Sequence, residues 1–155
     1  MTTAASIEAW PLVKQGASAH PVQTLQYLLR ARGHTVTVDG DFGPATNAAV
    51  RSFQQQHGLT VDGQVGPHTW AALIITVKKG SQGDAVRGAQ EEFKQRELSG
   101  NPNQGLQVDG IFGPATDAAV RGFQQALHTD ISSVTVDGIV GPVTWQALIS
   151  GMLFL

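Results

Sequence analysis

Val38-Asp39-Gly40-Asp41-Phe42-Gly43-Pro44-Ala45-Thr46 returns seventy residues later as Val108-Asp109-Gly110-Ile111-Phe112-Gly113-Pro114-Ala115-Thr116. A shortened form appears twice more, as Val61-Asp62-Gly63-Gln64-Val65-Gly66-Pro67-His68-Thr69-Trp70 and as Val136-Asp137-Gly138-Ile139-Val140-Gly141-Pro142-Val143-Thr144-Trp145. Asp-Gly offers a side-chain acceptor followed by a residue free to take positive φ. Gly-Pro then offers an N-cap glycine and a proline at the first helical position, where a missing N–H costs nothing. Each copy therefore predicts a turn that feeds a helix, and four copies predict four helix starts.

Working outward, the duplication divides the 155 residues into a loose leader (1–9), a first module (10–75), a second module (76–150) and an apolar tail (151–155). A module of about 75 residues buries only about 60% of its unfolded surface and is marginal alone. With no cysteine in the chain, no disulfide supports it, and thiol catalysis and thiolate metal sites are excluded. Packing of one module on the other would help both.

Ten Lys and Arg against twelve Asp and Glu give a net charge of −2 without a basic stripe, which argues against nucleic acid as a partner. No apolar run approaches the ~20 residues that span a bilayer, so no membrane partner is expected. The first twenty residues lack the basic start and apolar centre of a secretory signal. The tail Gly151-Met152-Leu153-Phe154-Leu155 is too short to anchor and is expected to pack on the second module or fray.

Each module opens with an extended apolar segment ended by glycine, Trp10 to Gly16 and Ile74 to Gly80. A helix then runs to about Arg32, with Val22, Leu25, Gln26 and Leu29 on one face and Val86, Ala89, Gln90 and Phe93 repeating it. Gly33 fits its C-terminus, and Thr35-Val36-Thr37-Val38 is a short β-like run. The second helix carries Thr46, Ala49, Val50 and Phe53, then Thr116, Ala119, Val120 and Phe123. Gly58-Leu59 resembles a Schellman ending, which module two replaces with His128-Thr129-Asp130-Ile131-Ser132-Ser133. Module two also inserts loop residues Ser99-Gly100-Asn101-Pro102-Asn103-Gln104-Gly105. The third helix is short, with Trp70, Leu73 and Ile74 echoed by Trp145, Leu148 and Ile149. The fold class is all-α: two tandem three-helix bundles with glycine-rich turns and very little strand.

The linked order apolar-x-x-Leu-Gln, Val-Asp-Gly-x-Phe-Gly-Pro-x-Thr, Ala-Val-x-x-Phe-Gln and Val-Asp-Gly-x-Val-Gly-Pro-x-Thr-Trp resembles the bacterial peptidoglycan-binding domain of the three-helix type. The resemblance covers 10–75 and 76–150. Module two departs from it at Ala89, where leucine is usual, at Ile111 in place of Asp41, and in its two longer loops. The resemblance implies attachment to the glycan strand and stem peptides of the bacterial wall, an extracellular, wall-associated place of work, a monomer, no chemistry of its own, and a cell-wall hydrolase as a partner to test for.

The residues agree when taken directly. The five histidines show no HExxH or other tight ligand spacing, so neither metal nor cofactor is expected. No Gly-x-Ser-x-Gly elbow is present. The Asp39-Gly40-Asp41 start fails as a calcium loop, because its twelfth position is Val50.

The candidate binding surface is the Asp-Gly-x-Phe loop with the start of the second helix: Asp39, Asp41, Phe42, Thr46 and Arg51, then Asp109, Phe112, Thr116 and Arg121. The shorter turns add Asp62, Trp70, Asp137 and Trp145. Each carries a structural alternative. The aspartates fit as acceptors for amides of their own turn, and Gln26, Gln54, Gln90 and Gln124 fit as ties between helix and loop. Phe42 and Phe112 fit buried lids or sugar platforms. Trp70 and Trp145 follow core spacing, with sugar stacking as the other role. Arg51 and Arg121 fit solvated charges or two-pronged partners for a muramyl or stem-peptide carboxylate. Rival functions are a protein-interaction module resembling a metalloprotease prodomain and an accessory fragment of a hydrolase.

Overall fold

Glycine-proline pairs set the architecture. The computed structural model describes residues 6–96 and 106–154, within which six helices follow in order: α1 (Val22–Ala31), α2 (Pro44–Gln56), α3 (Pro67–Leu73), α4 (Asp84–Arg96), α5 (Pro114–Asp130) and α6 (Pro142–Ile149). Helices α2, α3, α5 and α6 each begin on the proline of a Gly-Pro pair, with the glycine extended as N-cap. Among the described residues, β structure is limited to four isolated antiparallel bridges, Val13 with Val65, Ser18 with Asp41, Val77 with Val140, and Gln82 with Ile111. The same two bridges recur in each repeat, so the all-α expectation holds.

Helix ends follow their glycines. Gly33 takes φ of 91°, its N–H reaches Arg30 O at 3.0 Å, and the His34 N–H reaches Leu29 O at 2.9 Å. That is the Schellman pair of bonds. Gly58 and Leu59 repeat it on Gln55 O and Gln54 O at 3.3 and 2.9 Å. Module two has no glycine at that place, and α5 runs on through Asp130, taking His128, Thr129 and Asp130 out of the expected loop.

Two further expectations are corrected. Helix α1 starts at Val22, not just after Gly16, because Ser18 pairs with Asp41, Ala19 takes φ of 63°, and Pro21 has no N–H to give. Thr35 to Val38 keeps to its loop, with only Val36 turned fully inward. Leader residues Ile7 and Glu8 are docked, Ile7 against the core and Glu8 O as acceptor for Gln146 Nε2 at 2.7 Å. The expected loop at 99–105, the leader residues 1–5 and Leu155 lie outside the described residues.

Each repeat closes over a tryptophan. Trp70 and Trp145 are fully buried, and their indole N–H groups donate to Pro11 O and Ile75 O, both at 2.8 Å. The pairing satisfies the one polar atom a buried indole carries.

The repeats meet through their first helices, α1 on α4, and one apolar cluster continues across both. Thr24 and Gly88 hold the same place in the two repeats and face each other: a Cβ on Gly88 would stand 3.4 Å from Tyr27 Cβ and 3.8 Å from Thr24 O. His20 pairs with Glu92 at one end and Arg30 with Asp84 at the other, so the helices run antiparallel. The crossing has the pseudo-twofold character of a symmetric dimer contact made within one chain.

Glu92 occupies the place of Leu28 and has no exposure to solvent. Its carboxylate accepts from Thr24 Oγ1 at 2.6 Å, from His20 Nε2 at 2.9 Å and from Arg96 Nη1 at 2.6 Å. A buried charge is tolerated only when paired in this way. The tail closes the cluster, with the Phe154 ring 4.3 Å from the Arg96 guanidinium carbon.

Candidate functional site

The four Asp-Gly turns are built alike, and each is held by a glutamine from the helix before it. Gln26 on α1 donates through Nε2 to Asp39 Oδ1 at 2.9 Å, Asp41 O at 3.1 Å and Thr46 Oγ1 at 3.1 Å. Its Oε1 accepts the N–H groups of Asp39 and Gly40 at 3.1 and 3.0 Å. Two amide hydrogens serve three acceptors, so one is shared. Asp39 Oδ1 also accepts its own loop's Asp41 N–H at 2.9 Å. Helix, turn and next helix start are thereby tied through one buried amide.

Gln54 does the same for Asp62, Gln64 and Thr69. Gln90 ties Asp109, Ile111 and Thr116, and Gln124 ties Asp137, Ile139 and Thr144. The glycine after each aspartate sits at φ between 71° and 77°, and a Cβ on Gly40 would meet Gln23 Nε2 at 3.0 Å. The positive φ is what favours glycine there, while the Gln23 side-chain end need give only slightly.

In three of the turns these bonds favour the ionised aspartate. The N–H of Asp41 on Asp39, of Gln64 on Asp62 and of Ile111 on Asp109 is the leading cause that lowers each carboxyl below its ordinary pKa, and the glutamine amides add to it. Carboxylates so held have no proton to give near neutral pH, and they suit hydrogen-bond acceptance from a ligand better than acid catalysis.

The candidates separate by exposure. Asp39, Asp41, Asp62, Asp109, Asp137, Arg51 and Arg121 are exposed, whereas Phe42, Phe112, Thr46, Thr116, Trp70 and Trp145 are buried. Phe42 and Phe112 fold inward as lids over the core. Trp70 and Trp145 have no ring face open to a sugar, and the threonine hydroxyls are spent on glutamine amides. The buried group forms part of the scaffold beneath the turns. Arg51 leans on the following turn, 3.4 Å from Asp62 O. Arg121 does the same at 3.2 Å from Asp137 O and pairs with Asp117 at 3.1 Å.

Two arginines outside the repeated turn motifs hold the bundles shut. Arg32 Nη2 donates to Ala72 O and Ile74 O, and its Nε to Leu73 O at 3.1 Å. Arg96 donates to Leu148 O at 2.8 Å and Met152 O at 2.9 Å. Each arginine satisfies orphan carbonyls at the end of its repeat's third helix. The signal was available: both arginines sit in the same place of the two repeats.

Among the described residues, no cluster of three or more His, Asp or Glu is placed to hold a metal, and no helix is long and apolar enough to cross a membrane.

Comparison with known proteins agrees with the motif. The family described as a peptidoglycan binding domain matches residues 18–73 and 82–148, one match per repeat. A zinc D-Ala-D-Ala carboxypeptidase of Streptomyces albus G is 41% identical over 75 residues, 47% of this chain and 26% of that protein. An uncharacterized protein in the bpoA1 3' region of Kitasatospora aureofaciens is 42% identical over 72 residues, 46% of this chain and 53% of that protein. A crystallised peptidoglycan-binding protein from Clostridioides difficile is 40% identical with a TM-score of 0.40, covering 41% of this chain and 40% of the other. The chain thus spans about a quarter of the carboxypeptidase and about half of the second relative.

Proposed function

Since the chain belongs to the peptidoglycan-binding domain family, matched in both of its repeats, we propose that it grips bacterial wall peptidoglycan without cleaving it and so retains itself, or a tethered partner, on the wall. The observation that carries this reading is the fourfold glutamine-held turn, which spends buried amides on shaping an exposed edge of acceptors and cations. Asp39, Asp41, Asp62, Asp109 and Asp137 offer acceptors to sugar hydroxyls and peptide N–H groups. Arg51 and Arg121 offer forked donors to lactyl or stem-peptide carboxylates. Such shallow contacts are weak singly, but two on one chain raise avidity by on the order of 10²–10⁴-fold when both engage one polymer.

A second reading has specific support. The Streptomyces albus G relative is a carboxypeptidase of which a quarter is matched, which favours a role beside a wall hydrolase, the repeats supplying residence and the hydrolase the chemistry. Incubation with purified, protein-free peptidoglycan tests the core of the proposal. The chain is expected in the pellet with no soluble fragments released. Chain left in the supernatant would overturn binding, and fragments released by this chain alone would overturn its non-catalytic character.

A further inference from the structure

The second repeat carries a shallow cleft of about 220 Å³ between the segment after α5 and the start of α6. Its apolar lining is Val134, Ile139, Pro142 and Val143, and its exposed polar lining is Ser133, Thr135 and Asp137. Val143 is 51% exposed on the first turn of α6, a helix that otherwise buries most of its side chains. Gln124 and Thr144, at the back, are bonded to each other and to the turn, so they do not compete for a ligand.

The first repeat has different chemistry at the same places. Gln64 stands where Ile139 does, and His68 where Val143 does. The wall differs too. In the first repeat α2 stops at its Schellman glycine, Gly58, whereas α5 runs for 17 residues against 13. After α5, Ile131 and Val134 turn inward, and His128 Nδ1 donates to Val134 O at 2.8 Å. That bond holds the segment that brings Val134 into the cleft lining beside Ile139 and Val143.

Resting on the peptidoglycan reading above, we infer that this cleft is a methyl-amide subsite, taking an N-acetyl group of the glycan or an alanyl unit of the stem peptide. Both groups place a methyl beside an amide. The size and the lining match that pairing: three branched side chains and a proline for the methyl, hydroxyls and a carboxylate for the amide. The volume lies below the ~300–1,000 Å³ of pockets that swallow a drug-sized ligand, so it admits one substituent and not a disaccharide. The two repeats thereby contribute unlike contacts, the first polar and the second methyl-selective, and read two features of one polymer.

The test is methyl-resolved NMR on the intact chain with three probes: an N-acetylglucosamine tetramer, its de-N-acetylated counterpart, and a stem peptide ending in D-alanyl-D-alanine. Shifts centred on Val134, Ile139 and Val143 are expected with the acetylated tetramer or with the peptide, which identifies the source, and none with the de-N-acetylated tetramer. The variant Ile139→Gln with Val143→His, which installs the first repeat's residues at a partly exposed site, is expected to lose about four- to tenfold in affinity for that probe, a methyl's worth of burial or somewhat more, with unchanged melting. Pelleting with peptidoglycan while these three methyl groups stay still with every probe would overturn the inference and leave the wall-binding proposal standing. Equal shifts with the de-N-acetylated tetramer would overturn the methyl-amide assignment. Failure to pellet would remove the wall-binding proposal, and this inference with it.

Discussion

Gln26 and Asp39 are joined side chain to side chain at 2.9 Å, and the same amide also holds the turn's two leading N–H groups. Replacing Gln26 by alanine strands several buried donors and acceptors at once. At ~1–3 kcal/mol for each unsatisfied buried group, partly relieved by water, the expected loss is about 2–4 kcal/mol of folding stability. Gln26→Glu should be worse than its isosteric shape suggests, because it turns a carboxylate toward Asp39 and Asp41 O. Urea unfolding of both variants checks this, and Gln54, Gln90 and Gln124 should behave alike.

Acid should weaken the fold through the same turns. Folded-state pKa values of Asp39, Asp62 and Asp109 are lowered, first by backbone N–H bonds within their loops. A carboxyl lowered on folding adds stability that is fully present above its unfolded pKa of about 3.9 and is lost as pH falls through the folded value. Stability should therefore be flat from neutral pH down to about 5 and decline below about 4. Asp39→Asn should shallow that decline, and melting curves across the acid range measure it.

The buried pair between the repeats gives a sharper contrast. Glu92 Oε1 and Arg96 Nη1 lie 2.6 Å apart with neither side chain exposed. Arg96→Met removes the guanidinium from a buried carboxylate that keeps only Thr24 and His20 as partners, and should cost about 3–5 kcal/mol. Glu92→Met with Arg96→Met should cost less than the sum of the two single changes, since it leaves no unpaired charge. A double-mutant cycle in urea reads the coupling.

Arg51 and Arg121 should divide stability from binding. Both are exposed, and their bonds to Asp62 O and Asp137 O are long, at 3.4 and 3.2 Å. Alanine at either should change stability by no more than about 1 kcal/mol. If they meet wall carboxylates, the double variant should lose severalfold in peptidoglycan affinity and show a flatter salt dependence. Unchanged affinity would reduce them to props for their turns.

Much of this was legible in the residues. Asp-Gly and Gly-Pro chemistry is local, so Pro44, Pro67, Pro114 and Pro142 start helices as the motif demands. A glutamine on an apolar face needs a partner, and the turns supply it. Phe42 and Phe112 were undecidable from spacing, because a loop-tip aromatic reads the same whether it folds inward or out. The docking of α1 on α4 was harder still. Thr24 and Leu28 hint at a second inward face on α1, but Glu92 in Leu28's place argues for solvent until His20, Thr24 and Arg96 are seen around it. The start of α1 failed for a related reason, since the pairing of Ser18 with Asp41 joins residues distant in sequence.

The most direct measurement is a binding isotherm of the intact chain on purified, protein-free peptidoglycan sacculi, with the supernatant assayed in parallel for released sugar ends and free amino groups. Saturable binding that releases nothing is the predicted result. A chain that stays in solution at every peptidoglycan concentration, or one that frees wall fragments unaided, would contradict the account.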